Sequence, residues 1–378
     1  MEGSPTSARM GSIDFLKGLI IIAIVGVHLM LSSTGNGEAR TMPLALQMAY
    51  LGLMSFYIIS GYFYRPGNGF RTNMRKRVIQ LVVSLVVCAF ALPAILYEWL
   101  SMFGQTPEPG DLLYGIEHAL SLTDVFMLEG NHTYYATCSA SMGYYYLWTM
   151  VWGFLVFYAL ADHVLEDKRR FAVTMIVLTA ITMVITVYPY KLPFHLHCAT
   201  ISAIFMFIGA YMARYRTVEY IESLHWRSGR YWMVLLGCLA AGVALCFFFN
   251  PGTGFDWFRF GDYGPWSVPI YCLEATLIFV VLLYICKFLS MIPVLSAAVR
   301  IAGQHTLGTL LLHGTIATMI IAPFFTITNT SWFPSDMTTM QRAVVFLITL
   351  VACVLICRYG PSIIRRICGK QSKKSQEP

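Results

Sequence analysis

Three ionisable side chains lie where apolar sequence would carry no cost. His28 closes the run "IDFLKGLIIIAIVGVHL" (Ile13 to Leu29), which holds Asp14 and Lys17 near its start. His313 lies within "IAGQHTLGTLLLHGTIATM", and Glu274 is the only carboxylate well inside an apolar run. Ionisable groups in such places are functional candidates by default. If Ile13 to Leu29 is helical, Lys17 and His28 are separated by about 1100°, or about 20° after whole turns, and by about 16 Å along the axis. Asp14 precedes Lys17 by three residues, a spacing at which opposite charges on a helix meet. One stripe therefore leads from an ion pair at a membrane edge to an imidazole deeper in. An imidazole there can act as general base or carry an acyl group. It can equally make a helix-to-helix hydrogen bond, worth about 0.6 kcal/mol, and the two acid and base partners can be snorkelling end residues. The stripe alone leaves these readings open.

His305 and His313 are eight residues apart, about 80° after whole turns, so they can share a cavity but hardly an ion. Zinc needs more ligands, tightly spaced. The spacing suggests no such set, and no metal is expected. For Glu274 a structural hydrogen bond stands beside a role at the imidazole. A third feature is cationic: "SFYIISGYFYRPGNGFRTNMRKRVIQL" holds Arg65, Arg71, Arg75, Lys76 and Arg77, five cations in thirteen residues. Retention and anionic lipid explain charge of this kind. Four of the five are arginine, whose planar fork suits bidentate phosphate contacts, so a phosphorylated cytoplasmic ligand is the sharper alternative.

The elements that must position these groups follow from composition. Of 378 residues, 57% are hydrophobic and 12% charged, and mean hydropathy is +0.63. A charged fraction about half the usual ~25% cannot cover a water-facing surface, so the chain is read as an integral membrane protein. Apolar runs of the length that crosses ~30 Å of hydrocarbon recur throughout. They give ten spans: 13–33, 43–64, 77–98, 143–162, 171–189, 197–214, 231–249, 267–286, 305–326 and 340–357. The segment 111–128 carries Asp111, Glu117 and Asp124 and is left outside the bilayer. With the N-terminus inside, 22 of the 26 basic residues fall on the cytoplasmic side, leaving Arg40, Lys191, Arg259 and Arg342 outside. By the retention of basic residues, both termini are expected to be cytoplasmic; the expected localisation is the cell (plasma) membrane, as a multi-pass protein. The formal charge of +7 reflects this sidedness and does not suggest nucleic-acid binding. The first run has no small-residue cleavage site behind it and is expected to remain as a helix.

The expected fold class is all-α: a polytopic membrane bundle of about ten helices, with one transmembrane domain over 1–370 and a polar cytoplasmic tail over 371–378. The one long connection, 99–142, is acidic, without Lys or Arg, and ends rich in aromatics. Tyr134, Tyr135, Tyr144, Tyr145 and Tyr146 would suit a sugar, or form an interfacial belt. Cys138 and Cys198 both fall on the outer side and could pair in an oxidising compartment.

Taken together, these pieces resemble acyltransferase family 3, the ten-span bacterial membrane acyltransferases that modify cell-surface glycans. "IDFLKGLIIIAIVGVH" is similar to the family's Asp, Arg and distant His on the first helix. "FYIISGYFYRP" resembles its Phe-x-x-x-Ser-Gly-Tyr/Phe element, followed by the basic "RKRVIQL"; weaker echoes are "YLWTMVWGFL", "IFMFIGAYMARY" and "GQHTLGTLLLH". Lys17 stands where the family usually has arginine, and Gln80 where an arginine often recurs.

The resemblance implies transfer of an acyl group, commonly acetyl from acetyl-CoA, to a hydroxyl of a cell-surface glycan or lipid-linked sugar on the outer side. It implies His28 as base or acyl carrier, with Asp14, Lys17, His313 and Glu274 as supporting catalytic candidates. Ser60, Arg65, Arg71, Arg75 and Arg77 would bind the cytoplasmic acyl-CoA. The rival reading is a proton-coupled small-molecule transporter, which also uses buried His and Glu; the paired interrupted helices many transporters show are not evident.

Overall fold

The computed structural model describes residues 11–30, 52–67, 69–105, 107, 109–120, 122, 144–187, 192–249, 264–325 and 337–374. Among them the secondary structure is helical throughout, with no strand. The reason is the solvent: in hydrocarbon every backbone amide must be satisfied within its own segment, which a helix achieves. In chain order the helices are α1 Gly11–Met30, α2 Ser55–Tyr62, α3 Gly69–Met102, α4 Pro109–Ala119, α5 Tyr144–Val164, α6 Lys168–Val187 and α7 Ala199–Arg214. They continue as α8 Thr217–Ser223, α9 Gly229–Phe249, α10 Ser267–Leu289, α11 Pro293–Gln304, α12 Thr306–Ile321 and α13 Thr339–Lys374.

Seven helices among the described residues are long and apolar enough to cross a membrane, and Gly229–Leu245 and Thr306–Ile321 are shorter apolar helices. Each of the ten expected spans falls on a helix, although the first part of 43–64 lies outside the described residues. The acidic stretch left out of the bilayer contributes α4, only eleven residues long. Two helices run well past their expected ends: α3 starts at Gly69 rather than 77, and α13 continues to Lys374 rather than 357. Hydropathy marks the hydrocarbon edge, whereas Arg and Lys are good helix formers and carry the helix onward into the polar layer.

The outer faces of the bundle are apolar. Ile79, Val83 and Val87 on α3, Ile176 and Val184 on α6, and Leu347 and Val351 on α13 are all exposed. Such continuous apolar surface would be a large patch on a water-soluble protein and is ordinary against lipid. Inside, close backbone approach holds the helices together, as small residues permit in membranes. A side chain at Gly61 of α2 would meet the Met206 carbonyl, and one at Gly209 of α7 would meet the Ile58 carbonyl, so the two helices are locked reciprocally. Gly18 of α1 lies against the Val299 carbonyl and Gly303 of α11 against that of Asp14. The helix carrying Asp14, Lys17 and His28 is thereby pinned lengthwise on α11.

One end of the bundle is tied by polar contacts. Ser12 donates to Glu222, Tyr62 to Glu219 and Tyr64 to Asp162, while Lys287 donates to the carbonyls of Ile221 and Glu222 at 2.9 and 2.8 Å. The turn between α2 and α3 has Gly67 and Gly69 at φ of 86° and 68°, a left-handed backbone that favours glycine. This turn carries Arg65 and is held where the Gly67 amide donates to Asp162 at 3.3 Å.

Candidate functional site

A cavity of about 400 Å³ opens between α1, α2, α3, α5 and α12. Lys17 and Ile21 line it from α1, Ser60 and Phe63 from the α2 end, Arg77 from α3, and Tyr146 to Phe154 from α5. Tyr146 and Phe154 are eight residues apart on one helix, so the cavity runs about 12 Å along α5. The cations sit toward one end. Lys17 Nζ lies 5.8 Å from the centre of the Phe63 ring, a cation–π contact that steers the ammonium along the wall.

Beyond the other end stand the two histidines. The rings of His28 and His313 meet edge to face, with centroids 5.3 Å apart. His313 is fully buried and His28 half-buried. Neither imidazole lines the cavity, but both lie on its helical stripes. On α1 His28 is two turns past Ile21, and on α12 His313 is one turn past Leu310, which also lines it. The Tyr144 hydroxyl donates to the Leu311 carbonyl at 3.2 Å, which sets the start of α5 beside that same turn of α12.

The tautomer of His313 follows from its neighbours. Its Nδ1 lies 3.1 Å from the Thr309 carbonyl and 3.0 Å from that of Leu310. Carbonyls only accept, so Nδ1 carries the proton and Nε2 keeps a lone pair. Among the described residues Nε2 has no hydrogen-bond partner. A neutral ring of this kind can receive an N–H from a neighbouring imidazole.

The expected site residues divide. Lys17, Ser60 and Arg77 come together around the cavity, and His28 meets His313 past its end. Asp14 is buried at the α1–α11 contact, where its carbonyl faces Gly303. Ser60 donates its hydroxyl to the Phe56 carbonyl at 2.7 Å. Arg65, Arg71 and Arg75 are exposed and do not line the cavity. Arg77 is exposed as well, but it lies about 200° round α3 from Arg75 and is the one that reaches the cavity lining. Glu274 is fully buried on α10 and is not part of the cavity lining. Lys76 lies outside the residues whose side chains are described.

The tyrosine run divides too. Tyr144 and Tyr146 are buried, with Tyr146 packed at 4.8 Å against the ring of Tyr57, so these two are core residues rather than an interfacial belt. Tyr57 also bonds Thr149, tying α2 to α5 at the cavity roof. Tyr134, Tyr135 and Cys138 lie outside the described residues. Sequence reasoning missed Phe63 as the partner of Lys17, and it missed a tight cluster of His195, His197 and Cys198 near Tyr145.

Compared with known proteins, the chain matches the family described as an acyltransferase domain, acyltransferase family 3, over residues 10–358. No curated protein and no solved structure matches it.

Proposed function

The chain belongs to acyltransferase family 3 and is a membrane acyltransferase of groups other than amino-acyl groups; from that premise we propose that it moves an acetyl-type acyl group from a cytoplasmic acyl-CoA to a sugar hydroxyl at the outer face of the plasma membrane. The observation that carries this reading is the His28–His313 contact beyond one end of a cavity whose other end holds Lys17 and Arg77.

A volume of about 400 Å³ falls in the usual range of small-molecule pockets and has room for the extended arm of coenzyme A. The arm enters between Lys17 and Arg77, with Ser60 on its wall. The nucleotide phosphates stay at the mouth, where exposed Arg65, Arg71 and Arg75 supply charge. The thioester then lies toward Tyr146, within one turn of α12 from His313.

In the reacting complex His28 would turn one N–H toward the lone pair of His313 Nε2, which would fix the tautomer in which its other nitrogen is a base. That nitrogen removes the proton of the acceptor hydroxyl. The acceptor oxygen bonds the acyl carbon, the C–S bond breaks, and the proton returns from His28 to the departing thiolate. Asp14 and Glu274 act at a distance, by setting the α1 stripe and the buried polarity around it.

Radiolabelled acetyl-CoA supplied to the purified chain with candidate glycans tests the proposal. Label passing to a glycan hydroxyl supports it. Uptake of a small molecule by vesicles, with no transfer or acyl exchange, would establish the transporter instead.

A further inference from the structure

We propose that His195, His197 and Cys198 form a binding site for a borderline transition-metal cation of the Zn²⁺ type, on the connection between α6 and α7. One ligand atom from each of the three lies within 4.8 Å of the others, with His197 and Cys198 buried. The two imidazole rings stand 5.4 Å apart at 61°.

The local backbone explains why three neighbours converge. Residues two apart on a regular helix point in different directions, so His195 and His197 of a helical "PFHLHC" could not share an ion. Here Phe194 and His195 adopt φ of 54° and 52°, left-handed values that side chains other than glycine rarely take. This kink reverses the chain for two residues and swings His195 toward the other pair. Surrounding contacts hold the strain in place. Trp152 donates its indole N–H to the Phe194 carbonyl at 2.9 Å, and Trp148 packs on the Phe194 ring at 5.0 Å. Strained non-glycine backbone held this firmly gathers at functional sites.

The donor set fixes the class of ion. Two imidazole nitrogens and one thiolate suit zinc, copper or cobalt and not magnesium or calcium, which want oxygen. Three protein ligands leave the fourth position of a tetrahedron to water or another group. The Leu192 amide donates to His197 Nδ1 at 3.1 Å, which holds this imidazole in place, and an ion bound at the cluster would release the Cys198 proton. Tyr145 meets the His195 ring at 5.7 Å and braces it from α5. The site lies at the Tyr144 end of α5, whereas Asp162 near the other end of α5 binds Tyr64. The ion would therefore clip this corner of the bundle, away from Lys17 and Arg77, and the proposal does not depend on the acyl-transfer chemistry.

Titration of the full chain in detergent with Co²⁺, after chelation and reduction, tests the site. The expected result is one ion per chain, with tetrahedral visible bands and a thiolate-to-cobalt band in the near ultraviolet, displaced by Zn²⁺ and indifferent to Mg²⁺. Cys198→Ser should abolish the near-ultraviolet band, and His195→Gln, which keeps the buried thiol, should weaken binding at least tenfold. A near-ultraviolet band that survives Cys198→Ser overturns the proposal, as does less than a tenth of an ion bound per folded chain. Maleimide labelling of Cys198 that is blocked by Zn²⁺ and restored by chelator supports it. Labelling that requires reductant whatever the metal overturns it in favour of a disulfide.

Discussion

Replacing His28 with alanine separates chemistry from packing by magnitudes that the geometry sets apart. As general base the imidazole is worth about 10²- to 10⁴-fold in rate, or about 3 to 5 kcal/mol of barrier. As a structural contact between α1 and α12 it is worth about 0.6 kcal/mol, the average for polar side-chain contacts in membranes. His28→Ala should therefore lower transfer from labelled acetyl-CoA at least a hundredfold while the midpoint of thermal unfolding in detergent shifts by only a few degrees. The contact with His313 adds a second demand. Rings 5.3 Å apart belong to the range where substitutions couple by about 0.5 to 3 kcal/mol. If His313 acts through His28, then His313→Ala costs activity on its own but adds almost nothing to His28→Ala. The reasoning fails if His28→Ala retains a tenth of its activity, or if the losses of the two single variants multiply in the double variant.

The remaining expectations concern the walls and joints. Arg77→Ala should raise KM for acyl-CoA about ten- to a hundredfold, the worth of a charge-assisted hydrogen bond, whereas Arg75→Ala, off the cavity lining, should act weakly and only at low salt; equal effects in steady-state kinetics would place the phosphates elsewhere. Gly61→Ala drives a methyl into the Met206 carbonyl and should cost about 1 to 3 kcal/mol, read as a lower thermal midpoint; an unchanged midpoint would contradict the close α2–α7 approach. Asp162→Ala removes the acceptor shared by Tyr64 and Gly67, so limited proteolysis should cut faster within 65–69, and an unaltered digestion rate would count against its clasping that turn.

Much of the helix layout was legible because a helix in hydrocarbon satisfies its own backbone, so an apolar run suffices to mark it. The stripe of α1 was legible for the same local reason: Lys17 and His28 share a face through helical geometry alone, and Lys17 does line the cavity. The basic residues form one group in sequence. The rise of 100° per residue along α3 divides it, sending Arg77 to the cavity and Arg75 away from it. The tyrosines at 144–146 looked like a surface belt or a sugar platform, yet Tyr144 and Tyr146 are buried by α2 and α12. No local pattern announces which helix will cover a ring.

By itself, then, the sequence determined an all-helical membrane bundle, the placement of its apolar spans and the polar face of α1, since each depends only on residues within a few turns of one another. Tertiary structure alone decided that His28 meets His313, that Phe63 takes Lys17, and that a left-handed kink draws His195, His197 and Cys198 together. Those contacts depend on helix against helix and on a backbone bend. In lipid, close packing at sites such as Gly61 and Gly209 selects the neighbours, because apolarity no longer distinguishes one partner from another.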